Sequence, residues 1–144
     1  MPEMEQAFPD LLEDERQTLL DHATLQAFSS GDSIITQGPI HNYLYVIKKG
    51  NARILQQGYD HTNVEFTGPL GPGDLLGEMA FMDGNKASVT LVADGDVEVL
   101  QFSSDDVHKV LEQGTGFGMR FYRSLLITMC RRLRATNIRV TPVR

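Results

Sequence analysis

Apolar residues recur at helical spacing in the stretch "PDLLEDERQTLLDHA" (9–23), where Leu11, Leu12, Leu19, Leu20 and Ala23 share one face. Asp10 followed by Glu13, just after Pro9, forms a capping-box-like start, so a helix is predicted at about 10–22. From residue 24 the period changes to two and turn residues come often. "TLQAF" runs into "SSGD", and "SIIT" into "QGPIHN". "YLYVIKKG" meets "NARILQQG" across Gly50-Asn51, a hairpin signal. "NVEFTGPL", "SVTLVADG" and "DVEVLQF" follow. Short alternating strands separated by Gly, Asp and Pro predict an antiparallel sandwich or barrel over about 24–103.

The last third returns to helical spacing. "SSDDVHKVLEQG" opens with Ser104 as cap and Asp105-Asp106 in the first turn, and closes at Gly114, predicting a helix at about 104–113. The glycine-rich "GTGFG" is a joint, and a longer helix is predicted at about 116–136. In that helix Met119, Tyr122, Leu126, Met129 and Leu133 are spaced 3-4-3-4, a coiled-coil seam of two heptads. A second row, Phe117, Phe121 and Leu125, lies beside it. One row suits the β body and the other a second copy of the chain, giving a homodimer through 119–133; the bland alternative makes both rows core.

Composition changes this picture little. With 144 residues the chain suits one domain, and 41% apolar with 22% charged residues is ordinary for a soluble globular protein. No apolar stretch spans a bilayer, and the acidic N-terminus lacks the layout of a signal peptide, so a cytoplasmic protein without direct membrane insertion is expected. The single cysteine, Cys130, excludes an internal disulfide framework. Charge is more informative. Residues 1–114 hold six Lys and Arg against all nineteen acids, a net of −13, whereas 115–144 hold seven arginines and no acid. Such asymmetry suits a nucleic-acid or membrane contact, or arginines that pair with the protein's own acidic body.

The candidate chemistry lies in "LGEMAFMDGNKASV" (76–89), where the carboxylate of Glu78 stands in an apolar run and a tight Asp83-Gly84 corner precedes Lys86. Three landmarks come in order: "GDSIITQG" (31–38), "YLYVIKKGNARI" (43–54) and "LGPGDLLGEMAF" (70–81), ending in Gly-Glu-x-Ala. With one helix before and two after, they resemble the cyclic-nucleotide-binding domain family of CRP-type sensor domains and kinase regulatory subunits, over about residues 8–135. The resemblance implies an antiparallel jelly-roll barrel with a phosphate-binding cassette at 77–88, and a ligand such as cAMP or cGMP. Gly77 would let the backbone approach the ligand. Glu78 would accept a hydrogen bond from the ribose 2′-hydroxyl. A helical turn starting near Met79-Ala80 would aim N–H groups at the phosphate. Ala87 and Ser88 match the small residues through which a backbone N–H and a hydroxyl reach it.

The sequence departs from the family pattern at one point. Six residues and then Arg-x-Ala-Ser/Thr should follow Gly-Glu-x-Ala; here the loop is two residues shorter. The arginine slot falls on Ala87 or, counted backward, on Asn85, with Lys86 between them. Lysine meets a phosphate as a point charge, without the bidentate fork of arginine.

Two function classes follow: a ligand-sensing module that moves its C-terminal helix about the 114–118 joint, and a non-binding adaptor or dimerisation domain of a larger signalling or transport protein. Enzyme activity is not expected, because His22, His41, His61 and His108 are scattered and none forms a His-x-His pair. Specific DNA binding is not expected either, since no recognition helix follows the long helix. Arg120, Arg123, Ser124 and Thr128 could contact a base from that helix, or form its solvated face.

Overall fold

A computed structural model describes residues 1–57, 63–84 and 86–138, and the side chains among these except 56–57, 63–69 and 136–138. Two helices open the chain, α1 (Pro2–Ala7) and α2 (Glu13–Asp21). The sequence pattern foretold one helix here and missed α1. That helix spans a bare two turns, but Pro2 stands in its first turn with Glu3 and Glu5, and Met4 and Ala7 are buried. Asp10 does not cap α2. The cap residue is Leu12, whose N–H donates to the Glu15 carboxylate at 2.9 Å. Asp10 is drawn away by long-range partners described below.

The β body comprises β1 (Thr24–Phe28), β2 (Ser33–Ile35), β3 (Tyr43–Gln57), β4 (Asn63–Leu70), β5 (Leu75–Leu76) and β6 (Thr90–Ser103). All pairings are antiparallel: β1-β6-β3-β4 in order, with β2 also on β6 and β5 also on β3. This is the antiparallel jelly-roll arrangement expected. The hairpin expected at Gly50-Asn51 is absent: β3 runs through it as one strand of 15 residues. Gly50 has φ +88°, and the β3–β6 register shifts between Ile47 and Asn51, so the glycine bends the strand instead of reversing it. "SVTLVADG" and "DVEVLQF" likewise join into β6, with Gly95 at φ +83°.

The two faces of β3 and β6 divide the interior. Tyr45, Ile47 and Ala52 of β3 meet Leu91, Ala93, Val97 and Val99 of β6 inside the roll. Leu44, Val46, Leu100 and Phe102 face the opposite way and are covered by the helices. The helical cover includes α4 (Ser104–Leu111), capped by Ser103 rather than Ser104, and α5 (Phe117–Ile138). Phe117, Phe121 and Leu125 of α5 are buried with Phe8, Phe81 and Phe102. The seam row is split: Met119, Leu126 and Leu133 are 68%, 54% and 62% exposed, whereas Tyr122 packs partly on the core.

Candidate functional site

Between β5 and β6 the chain forms α3 (Glu78–Asp83). Gly77 precedes it at φ +82°, a left-handed conformation that favours glycine. A Cβ on Gly77 would lie 2.9 Å from the Tyr43 carbonyl oxygen. The close approach that requires glycine is therefore to β3 of the same chain. The Asp83-Gly84 corner closes α3 as foreseen: Gly84 has φ +69°, and its N–H donates to the Ala80 carbonyl at 2.9 Å.

The proposed cassette residues differ in accessibility. Glu78, Ala80 and Ala87 are buried; Met79, Lys86 and Ser88 are exposed. Asn85 and His61 lie outside the described residues. The Ala87 N–H donates to the Pro39 carbonyl at 3.2 Å. The Gly38 N–H donates to the Ala87 carbonyl at 3.0 Å, and Ile40 bridges Lys86. The returning arm of the cassette is thus zipped to the loop before β3.

The buried Glu78 carboxylate meets an arginine that the sequence reading missed. Arg132, on α5, donates from Nη1 to Glu78 Oε1 and from Nη2 to the Leu75 carbonyl. One guanidinium therefore fastens α5 to both β5 and the first residue of α3. Burial pushes the Glu78 carboxyl above its ordinary range; the Arg132 charge and the Glu78 N–H oppose that shift. Fifty-four residues separate the partners. The single hint in the sequence was an arginine run facing an acidic body.

Ser124 and Thr128 are buried and Arg120 is half-buried, whereas Arg123 lies on the solvated face; all four bond to the N-terminal segment or its neighbours. Arg120 grips Glu15 through two bonds, Nε to Oε1 at 2.8 Å and Nη2 to Oε2 at 2.6 Å, and also donates to the Thr115 carbonyl at 2.9 Å. Arg123 Nη1 donates to Asp10 Oδ1 at 2.7 Å, and the Asp10 N–H donates to the Ser124 hydroxyl at 2.9 Å. The Thr128 hydroxyl donates to the Ala7 carbonyl. These ties hold α5 from its first turn to Thr128 on the N-terminal helices, across the joint expected to bend.

Among the described residues no group of three or more His, Cys, Asp or Glu could hold a metal, and no helix is long and apolar enough to cross a membrane. The family description "Cyclic nucleotide-binding domain" matches residues 25–114. Cyclic GMP-binding protein C of Dictyostelium discoideum is 24% identical over 125 residues, 87% of this chain and 5% of that protein. A cyclic nucleotide-binding domain from Methylobacillus flagellatus KT has the same fold at a TM-score of 0.84 and 20% identity, over 98% of this chain and 85% of that one. Catabolite Activator Protein of Thermus thermophilus gives 0.77 at 25% identity, over 92% of this chain and 60% of that one. The chain thus spans a small part of its Dictyostelium relative and less than two thirds of the Thermus protein. By the match across residues 25–114 and the roll that carries it, this chain belongs to the cyclic nucleotide-binding domain family.

Proposed function

We propose that the chain is a regulatory module, not an enzyme, that binds a cyclic nucleotide at the 77–88 cassette, beside the Glu78–Arg132 pair. The observation that carries this reading is their contact at the mouth of α3. A carboxylate has two oxygens, and Oε1 accepts from Arg132; Oε2 is the acceptor assigned to the ribose 2′-hydroxyl. Arg132 supplies, from α5, the guanidinium that the cassette loop lacks. Both of its Nη groups already donate, to Glu78 and the Leu75 carbonyl, so towards a phosphate it adds positive charge beside Lys86 and the leading amides of α3. Gly77, Met79, Ala80, Ala87 and Ser88 shape the remaining walls, with Asn85 assigned from sequence alone.

A ligand that contacts both partners tightens the last turns of α5 against the cassette. It shifts the helix only by as much as it prefers the docked arrangement. The moving part is the segment beyond Thr128, because Arg120, Arg123, Ser124 and Thr128 fasten the earlier turns. The module works as one domain in the cytoplasm, dimerises through the exposed α5 row, reads no DNA sequence and enters no membrane. Membership of the cyclic nucleotide-binding domain family, and the Dictyostelium relative's being a cyclic GMP-binding protein, support a nucleotide ligand.

Titration calorimetry with cAMP and cGMP tests the reading. Native protein is expected to release or absorb heat, and both Glu78→Ala and Arg132→Ala to bind about 30-fold to several thousand-fold more weakly, the usual cost of removing one partner of a buried charged contact. Heat-silent mixtures of native protein at millimolar nucleotide, or native affinity in Arg132→Ala, overturn it.

A second reading is a non-binding adaptor. It is favoured by the Ala87 N–H already given to Pro39 and by a Glu78 oxygen already given to Arg132. The same titration separates the two, since the adaptor gives no heat in any variant.

A further inference from the structure

The loop between β2 and β3 touches the cassette at both of its ends. Its Gly38 and Pro39 pair with Ala87, and its Ile40 bridges Lys86. At the other end, the His41 Cδ2 lies 3.4 Å from where a Gly77 Cβ would stand. The imidazole is wedged among aromatic rings, 5.9 Å from Tyr43 and 5.4 Å from Tyr45 between centroids. Its Nε2 is buried and has no hydrogen-bond partner. Such an orphaned buried polar atom calls for a physical account.

We propose that His41 is a positioning residue of the cassette, holding Gly77 and Glu78 in place only while its ring is neutral. The neutral ring with its proton on Nδ1 leaves a bare lone pair at Nε2, which tolerates an apolar wedge. The imidazolium puts an N–H at Nε2 instead, where no acceptor stands. Protonation therefore drives the ring outward, and the support under Gly77 goes with it.

The groups facing the ring agree with this. Tyr43 and Tyr45 of β3 are its titratable neighbours, and burial raises the Tyr45 hydroxyl. Ile35 Cδ1 of β2 lies 3.2 Å from the same Gly77 Cβ position. Glu78, next in the chain, is taken up by Arg132 of α5, and Lys86 is exposed across the Ile40 bridge. Burial alone lowers the His41 value below 6.5. The sign follows: a depressed histidine favours the closed form above its ordinary value and loses that form as pH falls through 6.5 and below.

This inference rests on the nucleotide reading for its consequence, though not for its first test. In the full chain, magnetic-resonance titration of the four imidazoles is expected to show His41 titrating below 6.5. The amide resonances of Tyr43, Gly77, Glu78 and Lys86 should move with it, and stay still in His41→Phe or, should that variant not fold, in His41→Gln. With cAMP and cGMP as probes, native affinity should fall on acidification by up to about tenfold per pH unit, while the variants stay flat between about pH 5.5 and 7.5. A His41 that titrates at its ordinary value with the cassette amides unmoved, or parallel binding profiles in native protein and variant, overturns the proposal. If no nucleotide binds at any pH, the sensor reading fails and the resonance titration alone decides the role of His41.

Discussion

Glu15 shows how one residue can serve two structures. One oxygen accepts from the Leu12 N–H at the start of α2, and both accept from Arg120 of α5. The hydrogen-bonded Arg120 guanidinium holds its carboxyl below the ordinary 4.5; burial opposes this, and the Leu12 N–H adds to it. A depressed carboxylate stabilises the fold above its ordinary value, and the contribution is lost as pH falls through the folded value. Urea midpoints measured in steps from about pH 6 to 3 should therefore fall less steeply below 4.5 in Glu15→Gln than in native protein. Equal slopes would show that other carboxylates govern acid unfolding. At this scale the sequence was half legible. Glu78 stands out because an ionisable residue in an apolar run is rare. Its partner does not, because a contact spanning 54 residues leaves no local period. Asp10 misled for the same reason: a residue suited to a helix cap was taken instead by Arg123 and Ser124.

Helix and strand segments were legible where periodicity was strong, as in β1, α4 and α5, and their joins were not. Gly50-Asn51 and the Gly95 region have turn composition, yet both lie inside long strands. The difference is tertiary. At Gly50 a Cβ would stand 2.3 Å from the Asp96 carbonyl oxygen, so neighbouring backbone from β6 fills the space. At Gly95 nothing lies within 4 Å. Both have positive φ, so Ala should cost about 1–2 kcal/mol at Gly95, from backbone conformation alone. At Gly50 it should cost more, since backbone itself must shift. Chemical denaturation of Gly50→Ala and Gly95→Ala measures the difference, and equal losses would refute the account of the bend. Strict alternation also failed along 43–47 and 99–102, because the roll interior takes one face and the helices the other.

For the whole molecule, the fold class followed from short alternating strands flanked by helices, and the family from an ordered set of glycine landmarks. Assembly is a separate matter. Met119, Leu126 and Leu133 follow one another at sevenfold spacing and are exposed, while the adjacent row is core. Burying a large apolar side chain contributes about 1.5–3 kcal/mol, so a paired α5 row is a substantial association surface. Sedimentation should give a dimer that Leu126→Lys converts to a folded monomer; a native monomer at high concentration removes this interface.

The acidic first segment and the arginine-rich last one meet in space through Glu15–Arg120 and Asp10–Arg123, and Phe8 stacks on Phe121 at 5.5 Å. Synthesis from the amino end makes that meeting wait for α5. A nascent chain that has emerged only to Gly116 carries Phe8, Leu11 and Glu15 without their cover. Until α5 clears the ribosome, that half-built face stays apolar and acidic, with its hydrophobic surface open to wrong contacts during translation.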